Sequence, residues 1–242
     1  MEYKFIETEN YTKLKVAIAN LKESNSTSAK MGFGYGPFGT GKTTIQERVA
    51  LEENAILLRT GHVENATTLL EQICVELALE TGGGAPRMYQ RILESLIRKQ
   101  RIIIIDEIDI FLGIPGVKPK FHLVDLFRDI HDKTGAIIFF IGMEQSLSKF
   151  KKHVHFYSRI TEVVEFVPNP RDDVKRLCEQ CSLPVADDAI DYFTAEYANL
   201  REIFGVLDRA ERKAGLNDIE TLDLASIKFL DVEPKKDGKK RG

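Results

Sequence analysis

The sequence predicts an α/β layer sandwich on a five-stranded parallel sheet, followed by a small all-helical domain. Three observations carry this. Short aliphatic runs alternate with segments of helical apolar spacing, as in successive βαβ units. One run, Ile102–Ile105, is four consecutive isoleucines, the pattern of a strand buried on both faces. Beyond Pro168-Asn169-Pro170 the aliphatic runs stop and only helical patterns remain.

Taken in order, Thr12–Lys22 reads as a helix, followed by a loose Ser/Asn/Thr segment through Ser28 and a short strand at Lys30–Tyr35. Gly36–Thr43 is a Gly-rich turn into a helix reaching about Glu52, and Ala55–Arg59 is the second strand. Asn65–Leu79 carries Leu69, Leu70, Ile73 and Leu77 at helical spacing and stops at Gly82-Gly83-Gly84. A helix at Met88–Lys99 leads to the isoleucine strand. Phe121–Lys133 reads as a helix, and Ala136–Ile141 and Thr161–Phe166 as the last two strands. The later helices are Asp172–Cys181, Asp187–Tyr197 and Asn199–Gly215. The expected domains are an N-terminal helix and extension at 1–29, an α/β domain at 30–168, a helical domain at 169–232, and a basic tail at 233–242 expected to be disordered.

With 242 residues, 43% hydrophobic and 29% charged, the chain can bury a sizeable core. Its 34 basic and 37 acidic residues give a net charge of −3, so contact with nucleic acid has to come from local patches. The opening residues lack the apolar segment of a signal peptide, and the longest apolar run is too short to span a bilayer. A cytoplasmic protein is expected. Cys74, Cys178 and Cys181 fit a reducing compartment. The Cys178–Cys181 pair lacks the second pair or histidines of a zinc site, and is expected as core thiols.

Gly36-Pro37-Phe38-Gly39-Thr40-Gly41-Lys42-Thr43 fits G-x-x-x-x-G-K-[ST] in full. The glycines let amide groups turn toward a phosphate, and the following helix presents its positive end. Lys42 is expected on the β- and γ-phosphates and the Thr43 hydroxyl on Mg²⁺, with Thr44 included in the ATP-binding set. Asp106 and Glu107 follow the isoleucines, at the strand end where ligands of open α/β sheets bind. Asp106 is assigned to Mg²⁺ and Glu107 to the attacking water. Asp109 either caps the next segment or supports the loop. Hydrolysis also requires positive charge on the γ-phosphoryl oxygens, and Arg159 and Arg201 are the candidates.

The ordered set GPFGTGKT, IIIIDEID, IIFFIG, FYSRI and NLREI, then a helical lid, resembles the AAA+ ATPases over about residues 30–215. That resemblance implies a P-loop three-layer sandwich, with Arg159 as an arginine finger reaching the neighbouring subunit's site and Arg201 as a sensor-2 arginine. Activity would then need an oligomer. The order of IGMEQSL, a basic stretch and FYSRITEVVEFVPNPRDDV is more narrowly similar to transposition ATPases of the phage Mu B and TnsC type. Those form ATP-dependent filaments on double-stranded DNA and present it to a transposase. The fourth strand runs into Gly142 where many AAA+ proteins carry Asn or Thr, leaving Gln145, Glu144 or no residue at all for the sensor-1 role.

Two basic runs stand out from the negative background. Arg87 and Arg91 lie in the first; Lys149, Lys151 and Lys152 lie in the second, and Lys118 and Lys120 follow the carboxylates. All seven are candidate phosphate contacts for duplex DNA. The leading expectation is a transposition-target ATPase. The alternative is a replication initiator or helicase loader. A nucleotide kinase is disfavoured by the acid after Asp106, and a non-hydrolysing regulatory module is the remaining rival.

Overall fold

A computed structural model describes residues 4–25, 29–61, 65–116, 118–197 and 199–232. The basic tail and its Lys239-Lys240-Arg241 cluster lie outside the described residues. The chain divides into two units: Asn10–Phe38 with Lys42–Phe166, and Met1–Glu9 with Gly39–Gly41 and Val167–Gly242.

The first unit is the α/β layer sandwich. In chain order its elements are α1 (Glu9–Glu23), β1 (Met31–Gly36), α2 (Lys42–Glu52), β2 (Ile56–Arg59), α3 (Ala66–Glu76) and α4 (Gly84–Arg98). Then come β3 (Ile103–Asp106), α5 (Asp109–Leu112), α6 (Phe121–Thr134), β4 (Ile138–Met143), α7 (Ser146–Lys151), α8 (Val154–Tyr157) and β5 (Ile160–Glu165). The strands form one parallel sheet in the order β2-β3-β4-β1-β5. β4 therefore lies between β1 and β3, which puts the phosphate loop and the Asp106 strand tip about two strand spacings, roughly 10 Å, apart.

Strand alternation divides the core. Met31, Phe33, Ile103, Ile105, Ile138 and Phe140 pack with α3, α4 and α6 through Leu70, Ile73, Ile92, Leu96, Val124 and Phe127. The opposite face buries Ile104 and Phe139. There β1 carries Gly32 and Gly34, whose missing side chains make room for the Phe139 and Phe166 rings respectively. α1 joins this unit through buried Leu14, Ile18 and Leu21, with Asn20 donating to Glu162 and the Tyr11 hydroxyl to Glu52 at 2.7 Å.

Several boundaries depart from the sequence expectation, and two of them have a clear local cause. α4 begins at Gly84 rather than Met88, because Gly83 occupies the N-cap at φ 95° and Pro86 falls in the first turn, where no amide donor is needed. β4 begins at Ile138 rather than Ala136, because Ala136, just past α6, is tied to the last turn of that helix. Its amide donates to the Thr134 hydroxyl and its carbonyl meets His131 Nδ1 at 2.8 Å.

The second unit is helical: α9 (Arg171–Cys178), α10 (Asp187–Glu196), α11 (Leu200–Ala214) and α12 (Leu224–Phe229). They enclose Val174, Leu177, Phe193, Val206, Leu207 and Ile227. The N-terminal residues belong here. Ile6 is buried in this core, Lys4 and Gln180 exchange two hydrogen bonds, and Asp173 accepts from the Glu9 amide. Cys178 is buried in the same core and burial pushes its thiol up to about 12; Cys181 is half-buried. Cys178 is a core thiol, as expected, whereas Cys181 lies past the end of α9 and only packs against that core. Among the described residues, no helix is long and apolar enough to cross a membrane.

Candidate nucleotide site

β1 delivers the chain to Gly36, which Phe166 crowds from β5's end. A methyl group on Gly36 would sit 2.2 Å from the Phe166 carbonyl oxygen. Gly36→Ala is therefore expected to cost about 1–3 kcal/mol, by forcing β1 and β5 apart. Thermal unfolding should show it as a drop of several degrees, at about 2–4 °C per kcal/mol. Past Phe38, Gly39 and Gly41 stand at φ 89° and 79°, a left-handed path open to glycine that turns successive amides the same way. α2 then starts at Lys42. The Lys42 ammonium donates to the Gly36 carbonyl at 2.8 Å and the Pro37 carbonyl at 2.6 Å. Burial lowers its pKa, while Asp106 and Asp109 act in the opposite direction. Thr43 is exposed on the first turn of α2, Thr44 is half-buried, and Thr40 is buried.

Asp106 is the last residue of β3 and only 5% exposed. Burial raises its pKa against the opposing bonds from the Glu107 amide and Gln46. Its Oδ1 accepts from the Glu107 amide at 2.9 Å and its Oδ2 from Gln46 Nε2. Glu107 stands at φ 57°, a backbone conformation uncommon for a residue with a Cβ. Neighbours hold it there. The Thr60 hydroxyl at the end of β2 donates to the Glu107 carbonyl at 2.8 Å, and the Ile108 amide donates to Ile141 at 3.0 Å. The side chain is left exposed at the strand tip.

Asp109 is buried and supports the neighbouring loop. Its Oδ2 accepts from the Met143 amide at 2.8 Å and its Oδ1 from the Ser146 hydroxyl. Gln145, the sensor-1 candidate, is exposed at the start of α7, where its carbonyl accepts from the Ser148 hydroxyl. Glu144 is exposed beside it.

The donor set suits magnesium. A hard cation takes oxygen ligands and retains waters, and Thr43 with Asp106 offers a hydroxyl and a carboxylate whose burial disfavours an uncompensated charge. Among the described residues no cluster of His, Cys, Asp and Glu offers a softer site. No sequence motif marks Gln46 or Thr60. Gln46 falls in phase with buried Ile45, Val49 and Ala50, a signal that was available; Thr60 had none.

Arg159 follows α8, with Nε at 3.0 Å and Nη2 at 2.9 Å from Asp132 of α6, and Nη1 on the His155 carbonyl. Arg201 is exposed at the second position of α11, and its amide donates to the side chain of the N-cap Asn199. An open hollow of about 540 Å³ between β2 and α3, lined by Leu57, Thr68, Gln72 and Val75, contains none of these groups.

Of the basic candidates, the fold brings the Lys118–Lys120 and Lys149–Lys152 runs together. Lys149 Nζ donates to the Gly113 carbonyl, and the Phe121 and His153 rings lie 3.7 Å apart. Lys151 stands over the Tyr157 ring, and Lys118 and Lys152 are exposed. On α4, Arg87 is exposed, whereas Arg91 is turned onto the Glu80 and Gly82 carbonyls.

A family model described as an AAA domain matches residues 25–150, from before β1 to the end of α7's buried face at Phe150. The chain belongs to the AAA domain family. No curated protein matches this AAA chain in sequence. Among solved structures, the ORC2 protein of Aeropyrum pernix, solved as ADPNP-ADP complexes, matches with TM-score 0.66 and 15% identity, over 94% of this chain and 67% of that one. CDC6P of Pyrobaculum aerophilum matches with TM-score 0.62 and 14% identity, over 88% and 63%. The ORC1 protein of Aeropyrum pernix, in complex with DNA, matches with TM-score 0.54 and 18% identity, over 91% and 63%. At these identities the likeness is one of fold, and this AAA chain spans about two thirds of each relative.

Proposed function

We propose that the chain is a Mg²⁺-dependent ATP hydrolase that acts on duplex DNA as an oligomer, with a task of the replication-initiator or helicase-loader kind. One observation carries the hydrolase reading: a second acid, Glu107, is held in a strained backbone conformation beside the buried acid Asp106, at the strand tip facing the phosphate loop's side of the sheet. Transfer to the phosphate of another nucleotide, the kinase alternative, needs no acid there to activate water, whereas hydrolysis needs a group to orient the water and accept its proton.

The amides of Gly36–Thr43 and the Lys42 ammonium bind the triphosphate. Thr43 and Asp106 hold magnesium, which neutralises phosphate charge when bound. Glu107 orients a water and takes its proton. Arg159, supplied by a neighbouring chain, and Arg201 add the remaining positive charge, and Gln145 is kept as the sensor-1 candidate.

Support for the DNA task comes from the fold likeness to ORC and Cdc6 proteins, one of them solved on DNA, and from the joined Lys118–Lys120 and Lys149–Lys152 surface. Arg87 and Arg91 are secondary candidates. Lysines in such a patch bind phosphates without reading sequence, so affinity should fall steeply with salt. The transposition reading, in which the chain filaments on DNA and meets a transposase, is favoured only by the order of IGMEQSL and FYSRI along the chain. Mixing the purified protein with a replicative helicase and, separately, with a transposase separates the two tasks. A stable ATP-dependent complex with the helicase supports the first; a complex with the transposase alone overturns it.

Lys42→Ala tests the nucleotide site itself. Losing charge-assisted hydrogen bonds worth about 1.5–3 kcal/mol should weaken Mg-ATP binding roughly 10- to 100-fold. Titration with a fluorescent ATP analogue checks it, and unchanged affinity would remove the reading.

A further inference from the structure

Helix α2 buries Ile45, Gln46, Val49 and Ala50, the stripe expected of a helix lying on a sheet. Three of the four are apolar. The other is an amide with none of its surface exposed, and burying an amide is unfavourable unless its polar atoms find partners. Asp106 supplies half of the explanation, since Gln46 Nε2 donates to Asp106 Oδ2 while the Glu107 amide occupies Oδ1. An ionised carboxylate only accepts hydrogen bonds, so the amide has to present its NH₂ group to Asp106. Its oxygen is then turned elsewhere. Gln46 Oε1 has no hydrogen-bond partner, and it is the one buried side-chain nitrogen or oxygen among the described residues in that condition.

The chain thus holds a fully buried acceptor whose amide is bonded to the carboxylate assigned to magnesium, on the same helix as Lys42 and Thr43 and about one turn further on. We propose that Gln46 is a positioning residue for the metal-bound nucleotide: its NH₂ group sets the orientation of Asp106, and its Oε1 accepts from a water carried by the cation. The inference rests on the Mg-ATP reading of the site. Magnesium gives up its waters reluctantly, so a water donor beside Asp106 is the chemistry expected of that ion. A residue that merely locked α2 onto β3 would use both ends of the amide within the protein.

The test measures binding of a fluorescent ATP analogue at stepped magnesium concentrations, together with thermal unfolding of the nucleotide-free protein. Wild type is compared with Gln46→Met, of similar volume and without the amide, and with Gln46→Glu, which keeps an acceptor but places a like charge against Asp106. Both variants should need about tenfold more magnesium for half-saturation, the size of effect usual for a residue that orients a metal ligand. The affinity measured in chelator should stay at the wild-type value, while Gln46→Met should unfold somewhat earlier, because Asp106 loses a buried hydrogen bond. On an Asp106→Asn background, Gln46→Met should shift the magnesium dependence no further, because the partner it acts through is gone. Unchanged magnesium dependence would overturn the inference. So would nucleotide affinity weakened equally with and without magnesium. If Gln46→Met fails to fold, the magnesium dependence of Gln46→Glu decides. Should wild type itself bind nucleotide with no response to magnesium, the site reading fails before Gln46 is in question.

Discussion

Glu107→Gln is expected to lower ATP turnover by roughly 10²- to 10⁴-fold, the contribution of a positioned general base, while Mg-ATP affinity stays within the wild-type range. The separation follows from how the residue is held. Its amide is bonded to Asp106, its carbonyl accepts from Thr60, and the next amide is bonded to Ile141. All three contacts are made by the backbone, so exchanging the carboxylate for a carboxamide leaves the φ 57° conformation and the Asp106 geometry in place. What is lost is proton acceptance at the strand tip. Steady-state phosphate release and equilibrium nucleotide binding, measured on the same preparation, check both halves. With DNA and ATP present, the variant should accumulate long-lived protein–DNA assemblies that wild type dissolves. Normal turnover in Glu107→Gln would mean that another group activates the water. Loss of binding along with turnover would mean that the side chain is structural.

Much of this site is legible in the sequence because its requirements are local. A left-handed path at Gly39 and Gly41 needs glycine, and a strand buried on both faces needs aliphatic residues, so GPFGTGKT and IIIIDE announce themselves within eight residues. What stayed hidden depends on residues far apart in the chain. Gln46 is 60 positions from Asp106, and Thr60 is 47 from Glu107. Asp109 could be seen as a cap or a support, but its bonds to Met143 and Ser146 arise only once β3 and β4 pair. The short helices α5, α7, α8 and α12, of four to six residues, are too brief to show a period of 3.6. The basic runs show the same limit. Arg91 and Lys149 look alike as unpaired cations in the sequence, yet both are turned onto backbone carbonyls of their own chain.

Arg159→Ala is expected to lower turnover by about 10³-fold or more, the scale of an arginine finger supplied in trans, without weakening nucleotide binding by the isolated chain. In this structure the guanidinium is engaged within its own chain, by both Asp132 oxygens and the His155 carbonyl. The side chains are 33% and 39% exposed, which makes this a surface pair. Such pairs contribute about 0–1 kcal/mol, so contact with a neighbour's γ-phosphate, a stronger charge-assisted partner, can draw Arg159 away. A finger acting in trans has a consequence that a cis residue lacks. Arg159→Ala chains keep a complete phosphate loop and acid pair but offer no arginine, whereas Glu107→Gln chains offer the arginine and lack the base. Mixed together, the two nearly inactive proteins should regain activity, because an Arg159→Ala site can be completed by the arginine of a Glu107→Gln neighbour. At equal amounts, with random neighbours, about a quarter of interfaces would be of that productive kind. Turnover that stays at the level of the separate variants, in a mixture shown to co-assemble, would place Arg159 outside the neighbour's site and leave its pairing with Asp132 as a feature of the α6–α8 surface alone.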